Sequence, residues 1–567
     1  MAFRVRRKTD VFKIPNFGGI PHVFFGKLAH MELLKFNDLI TVVKADYLGT
    51  EDEKAIGPIS GSWFRIEKGP EATPPRYDYD EIGVVIEGEI TLKDETGQTE
   101  TESSPVIHDS YDVVVIGAGF TGLIAARELS QRHDLKVLLL EARDRIGGRT
   151  WTARALGEEL EMGGTWVHWA QPHLYSELRR YGLHINLKTS AGTAAPTKQM
   201  FKQGKATPCE ISIEETGDIL ERIAQSFFTI DGSSSRELMP YPHDPFKRPA
   251  LWMKYDHLSV QDRLDNLRGF SSWEKDLFES NTSTFGSAPG KDIAFTEALR
   301  WYALGGHNMK GVFELAGVYK IGNGGMTSFA RAVLGDYTGH MLLGATVKEV
   351  AQTKLGVRIT TRLGQEINAK YVVSTIPLNC LADVKFYPPI SSSRQSAMTK
   401  GHINKGAKIH FKLKAAEPGW FATANSSDSA YVFAFSDHNG TRESEPSGTW
   451  CIGFGYNGRL DDKNNHRHII DRFRKDIYPT GDVEAYVTHD WVNDPYAKGA
   501  WACWGPGCAT AYLQELQKPH GRVIFASADW ADGWRGFVDG AIEQGHQASQ
   551  CVVASLKSET ETLRSRL

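Results

Sequence analysis

The chain has 567 residues, 41% of them hydrophobic, enough for roughly three to four domain-sized units. Its 65 basic and 69 acidic residues leave a net charge of −4, a balance that gives nucleic acid or an anionic surface no reason to bind. Six cysteines form no Cys-x-x-Cys pair and no apolar run is long enough to cross a bilayer, so reduced thiols, no membrane span and an intracellular setting are expected.

Residues 1–105 carry runs of branched residues between Gly and Asp punctuation: LITVVKADYLG, SGSWFRIEKG and IGVVIEGEITLKDETG. They predict a β-rich domain, closed by the polar hinge DETGQTETESSP. MAFRVRRKTD lacks the apolar core of a secretory leader. PPRYDYDEIGVVIEGEITL resembles the first motif of the cupins, especially the ethanolamine-utilisation type. Cupins hold a metal with a histidine pair and a glutamate. Here Glu81 fits the glutamate, but Pro75 and Tyr77 stand at the histidine positions. No metal is therefore expected, and a partial barrel used for packing or for a homodimer is. An open barrel edge needs covering.

From Tyr111 the texture changes to strand, glycine turn, helix, strand. In YDVVVIGAGFTGLIAARELS, Asp112 to Ile116 read as a buried strand and Leu123 to Leu129 as a helix. Gly117, Gly119 and Gly122 form GxGxxG between them: one for the tight turn, one for close approach of a pyrophosphate, one for helix packing. The phosphates then meet free N–H groups at a helix N-terminus. LKVLLLE follows and ends in Glu141, nineteen residues after Gly122, placed to accept hydrogen bonds from a ribose diol. EARDRIGGRTW adds Arg143, Arg145 and Arg149 beside Gly147-Gly148. EMGGTWVHW adds Gly163, Gly164, Thr165 and Trp166.

The run from Tyr111 to Trp169 resembles the flavin-dependent monoamine oxidases, most closely the soluble fungal members. The resemblance continues through YKIGNGGMTSFARAV, ATVKEV, AKYVVSTIP and GRVIFASADWADGWRGFVDGAIEQGHQAS. It implies FAD as cofactor. Arg149 would reach the pyrophosphate, the Gly163-Gly164 turn would lie against the flavin, and the backbone of Val347 would meet the adenine. Ser527, Ala528, Asp529, Phe537 and Val538 would follow the flavin along the closing helix. That helix is amphipathic on its own evidence, with Ala541, Ala548, Val552 and Leu556 at three- and four-residue steps. Its N-terminus would stabilise charge on the reduced flavin.

Two cysteines in KGAWACWGPGCATAY raise the question of a covalent flavin. Aligned on Gly507-Cys508, the anchor is Cys508. Aligned with Gly507 after Pro506, Ala500 takes the anchor position and Trp501 becomes an aromatic wall, 36 residues before Phe537. The second register matches the family interval, so a non-covalent FAD between Trp501 and Phe537 is expected. The family places a lysine against flavin N5 through a water, and GHINKGAKIHFKLK assigns that role to Lys408. Lys405, Lys412 and Lys414 read as solvated. His168 reads as a packed histidine, and no His or Cys cluster has zinc spacing.

The resulting expectation is an α/β protein. It has a Rossmann-like FAD-binding domain (106–195, 315–384 and 498–567), an inserted α+β substrate domain (196–314 and 385–497), and the N-terminal cupin-like domain (1–105). The expected reaction is oxidation of a primary amine by O2 to a carbonyl product, ammonia and H2O2. Small residues Ala500 and Ala502 suggest room for a long aliphatic or fumonisin-like amine. An amino-acid or polyamine oxidase, and a non-catalytic flavin-bearing assembly protein, are the alternatives. Ser565-Arg566-Leu567 is a variant of the SKL address, which predicts a peroxisomal import receptor as partner.

Overall fold

The computed structural model describes residues 110–564 apart from 133–134, 354–355 and 442–446, together with five strands nearer the N-terminus. The chain divides into two compact units, Met1–Val106 and Ile107–Leu567. In the first, Met31–Phe36, Ile40–Leu48 and Gly61–Trp63 form an antiparallel sheet, and Glu89–Lys93 pairs with Thr99–Ser103. Every described element of this unit is a strand. Pro75, Tyr77 and Glu81, which carry the cupin resemblance, lie outside the described residues, as does Ser565-Arg566-Leu567.

In the second unit, Ser110–Ile116 is central to an eight-stranded sheet. It runs parallel to Val137–Leu140 on one side and to Glu366–Ser374 on the other. Val523–Phe525, from the far end of the chain, pairs parallel with the last residues of Glu366–Ser374. Alternate side chains of a strand point to opposite faces: Val113 and Val115 enter one core, Val114 and Ile116 the other. A sheet covered on both faces needs such a continuous apolar run. One cover comes from Phe120–Arg132 and Val538–Arg564. Gly545 lets these two helices touch, since a Cβ there would come within 2.8 Å of the Ile124 side chain.

Lys385–Tyr387 also joins this sheet, parallel to Val347–Gln352. The FAD-domain sheet therefore runs three residues past the boundary expected at 384, because Phe386 is drawn into the same core.

The second sheet has seven strands, Cys209–Ile211, Lys198–Lys202, Trp420–Ala424, Tyr431–His438, Thr449–Gly455, Lys408–Leu413 and Val483–Thr488, in that spatial order. One face packs Ile409, Phe411 and Trp420 against Ile469 and Phe473 of the helix His466–Asp476. The other carries Phe433, Phe435 and Phe454. Helices Ile213–Phe227, Ser272–Ser283, Phe295–Leu304 and Met309–Gly317 complete the unit. Their starts are set locally: Ser212 accepts from Glu215 N–H, and Ser271 with Glu274 forms a capping box, satisfying backbone donors that the helix leaves open.

Candidate active site

A cavity of about 1160 Å³ runs from the glycine turn after Ser110–Ile116 to the aromatic face of the second sheet. Its dinucleotide end is built largely from backbone. Gly117 has φ +104°, and a Cβ on Gly122 would sit 1.8 Å from the Gly117 carbonyl oxygen. Gly122 is thus a packing glycine and does not reach the cavity wall, whereas Gly117 and Gly119 do. A Cβ on Gly119 would meet only Gly148 Cα, at 3.8 Å, so this face is open to a ligand.

Glu141 lies on the wall with its carboxylate taking N–H bonds from Ala118 (2.7 Å) and Arg143 (2.8 Å). Burial pushes its pKa above the ordinary value, against the pull of those N–H groups and the arginines. Val347 lines the same end. A narrow glycine turn, a carboxylate at the next strand end and a helix N-terminus fit the pyrophosphate and ribose of a dinucleotide.

Arg143 and Arg149 are on the wall, yet each already has a protein partner. Arg143 pairs with Asp494 at 2.8 Å, and Arg149 donates to Asp529 (2.6 Å) and to the Ala500 carbonyl (2.9 Å). Asp529 lies behind the wall, fully buried, and its other oxygen accepts from Leu378 N–H. Its place is to hold Arg149. Ser527, Ala528, Phe537, Val538, Gly163, Gly164, Thr165 and Trp166 all line the cavity.

The opposite end is built from side chains. Trp501 and Phe537 both line it, on segments that meet where Gly536 (φ +84°) comes against Ala502: a Cβ there would be 2.5 Å from the Ala502 carbonyl oxygen. Trp501 is held by an N–H bond to the Phe285 carbonyl (2.8 Å) and lies edge-on to Phe454. Phe537 packs on Trp301 and Trp534. Trp301, Phe285 and the sheet aromatics Phe421, Phe433, Phe435 and Phe454 complete this chamber, and sequence reasoning had singled out none of them. Their signal was present as alternation, in YVFAF and CIGF. Glu214, Asp218 and Glu221 of Ile213–Phe227 and Glu314 of Met309–Gly317 also line the cavity.

Lys408 lines the cavity, almost fully buried, and its Nζ donates to the carbonyls of Glu161 (2.6 Å) and Gly163 (2.9 Å) and to the Thr165 hydroxyl (2.6 Å). Burial lowers its pKa, against the pull of the Glu161 and Asp437 carboxylates. Lys414, by contrast, is exposed and Lys412 pairs with Glu484. Neither Cys503 nor Cys508 is on the cavity wall; both are buried, Cys503 against Gly286 and Cys508 at the start of the helix Cys508–Gln517. Ala500 is on the wall. His168 is packed behind it, accepting from Ala170 N–H and lying 3.8 Å from Glu314. No group of three or more His, Cys, Asp or Glu able to hold a metal occurs among the described residues.

A family model described as flavin containing amine oxidoreductase matches residues 120–553. A pseudooxynicotine dehydrogenase from Pseudomonas sp is 36% identical over 454 residues, 79% of this chain and 87% of that protein. A nicotine dehydrogenase from Pseudomonas putida is 33% identical over 481 residues, 82% and 93% respectively. Among solved structures, putrescine oxidase bound to putrescine matches with a TM-score of 0.66 and 19% identity, over 78% of this chain and 99% of that one. Cyclohexylamine oxidase from Brevibacterium oxydans matches with a TM-score of 0.63 and 20% identity, over 79% and 99%. These two show a shared fold.

Proposed function

The chain belongs to the flavin-containing amine oxidoreductases and is a flavin-dependent amine oxidase with FAD as its cofactor; we propose that it deaminates a primary amine with a large apolar body and that its FAD is not covalently bound. The observation that carries this is the joining, in one cavity, of a dinucleotide cradle and an aromatic chamber walled by Trp501 and Phe537. Bound FAD supplies the acceptor for the two electrons and the proton that leave as a hydride equivalent from the carbon next to nitrogen.

The protein's part is position and electrostatics. Apolar walls make an ammonium costly to bury, so the neutral amine, the form that can give up the hydride, is favoured. Trp501 and Phe537 hold it between two ring faces. The carboxylates of Glu214, Asp218, Glu221 and Glu314 attract the cationic amine from solution. The imine product takes up water to give a carbonyl compound and ammonia. In the oxidase form of the reaction, O2 takes the two electrons and two protons and leaves as H2O2. Lys408, buried beside the Gly163-Gly164 turn, is the side chain placed to position a water during that step.

The arginines on the cavity wall among the described residues, Arg143, Arg149 and Arg362, belong to the dinucleotide end, which disfavours an amino-acid carboxylate as substrate feature. Nicotine, pseudooxynicotine and cyclohexylamine, after which three of the similar proteins are named, all have a ring in the body, which suits an aromatic chamber; the first two proteins are called dehydrogenases. We propose Ser565-Arg566-Leu567 as a peroxisomal address, a setting that an H2O2-forming reaction would suit, and import of a fluorescent fusion with and without those three residues tests it.

The deciding experiment is anaerobic flavin absorbance before and after a panel of primary and N-methyl amines, with ring and aliphatic bodies, followed by admission of O2. Bleaching by primary amines and rapid return of colour with peroxide is expected. A flavin that no amine bleaches would overturn amine oxidation for this chain. One that bleaches but stays reduced in air would overturn O2 as acceptor.

A further inference from the structure

The aromatic face of the second sheet forms a continuous row. Lys408 sits opposite Phe454, Phe454 opposite Phe433, Phe435 opposite Phe421, and Phe421 opposite Gln199. All of these line the cavity. Cross-strand partners share a face, and Phe433 and Phe435 are two residues apart, so they share it too. The rings lie nearly flat along the row: Phe433 on Phe454 at 6° and 4.4 Å, Phe421 and Phe435 at 14° and 6.2 Å. Lys408 ends the row beside the Gly163-Gly164 turn. Gln199 ends it on the other side.

Gln199 is unlike its neighbours. It is 8% exposed, on the strand Lys198–Lys202, and its carboxamide has no hydrogen-bond partner among the described residues. Asn281, the other amide on the cavity wall at comparable depth, donates to the Leu277 carbonyl of its own helix (2.8 Å). The amide is open to the ligand cavity, where a water or a ligand heteroatom can meet its donors and acceptor. From Phe454 to Gln199 there are three interstrand spacings, about 14 Å.

We propose that Gln199 is the far anchor of the substrate site. The substrate class is an amine whose extended apolar body lies along Phe454, Phe433, Phe435 and Phe421 and ends in a hydrogen-bonding heteroatom, a ring nitrogen or a carbonyl oxygen. This rests on the amine-oxidation reading above. An apolar terminus leaves the carboxamide unmet and displaces the water that would serve it, so the site discriminates against it.

The test uses the FAD-loaded enzyme and two series of alkylamines of increasing chain length, one phenyl-terminated and one pyridyl-terminated. The wild type is expected to favour the pyridyl member at one best length, by about tenfold in kcat/KM, the size of one neutral hydrogen bond. The effect should fall on KM, because contacts far from the reacting carbon are made equally in ground and transition states. Gln199→Met keeps the length of the side chain and should bring the ratio to about one. Gln199→Asn retracts the amide by one methylene and should keep the preference but move the best length up by one methylene.

A pyridyl-to-phenyl ratio that stays the same in Gln199→Met and Gln199→Asn, with both series still bleaching the flavin, would overturn the anchor while leaving amine oxidation intact. Failure of every amine to bleach the wild-type flavin would instead remove the amine reading, and the anchor with it.

Discussion

The two ends of the cavity are made of different material. The dinucleotide end is main chain: Gly117, Gly119, Gly163 and Gly164 offer backbone to the ligand, and the side chains there are steadied by other protein groups, Glu141 by two N–H bonds and Arg149 by Asp529. The reaction end is side chain: rings from several strands and loops, with Trp501 and Phe537 brought together by the contact of Gly536 on Ala502. Backbone recognition tolerates almost no added atom. A wall of rings tolerates exchange and changes what it accepts.

Three substitutions sharpen that contrast. The largest effect is expected from Gly122→Ala, whose Cβ would lie 1.8 Å from the Gly117 carbonyl oxygen. Main chain cannot yield that much, so the glycine turn is lost and the protein should purify colourless and with lowered Tm. Gly119→Ala separates binding from folding. Its Cβ has ordinary room against Gly148, so the FAD-free Tm should stay within about a degree while FAD affinity falls ~100-fold, read by flavin fluorescence titration; substitutions away from packing clashes change stability little. At the other end, Trp501→Ala should keep the yellow colour and the FAD affinity but reduce kcat/KM by roughly 100-fold, in the range that loss of substrate positioning costs. Equal loss of FAD in Trp501→Ala would break the division into two ends.

The same contrast decides what was legible in the sequence. A backbone cradle is contiguous, so GAGFTG, the carboxylate at Glu141 and the Gly163-Gly164 turn could be read directly, and counting 36 residues from Trp501 to Phe537 chose the register that leaves Cys503 and Cys508 off the wall. The rings of the reaction end are scattered. Phe421, Phe433, Phe435 and Phe454 sit on three strands, and only pairing puts them side by side. Their period of two in YVFAF marks a strand face but says nothing of what it looks at. Trp301 comes from the helix Phe295–Leu304 and Phe285 from the turn after Ser272–Ser283, with no motif at all. Asp529 shows the converse: it is part of a readable motif, yet its carboxylate turns inward to Arg149 and Leu378 and away from the cavity.

Lys408 bridges the two ends and predicts a smaller effect. Burial holds its folded pKa below the unfolded value of about 10.4. Between those two values the unfolded chain binds more protons, so stability rises with pH through that window. In Lys408→Met this rise should disappear from the Tm-against-pH curve, while reoxidation of the reduced flavin by O2 slows by about tenfold, the size of one lost hydrogen bond to a positioned water. An unchanged rise in Tm would mean that another group titrates there.

The smallest effect concerns the first turn of the closing helix. Asp539 follows Val538, which lines the cavity; it is buried, accepts from Leu174 N–H (2.8 Å), and its second oxygen has no partner among the described residues. Burial raises its pKa to about 7, against the pull of the backbone N–H bonds from Leu174 and His173. Here the folded value lies above the unfolded one, so the folded protein binds more protons between about pH 4 and 7, and stability falls as pH rises through that window. Above it, the folded protein carries a carboxylate in an apolar place. Asparagine keeps the acceptor for Leu174 N–H and cannot ionise. Asp539→Asn should therefore raise Tm by about one to two degrees at pH 8, the shift that about 1–2 kcal/mol gives in a chain of this size, and by almost nothing at pH 4. A gain of equal size at both pH values would mean that packing, and not charge, separates the two side chains at this helix start.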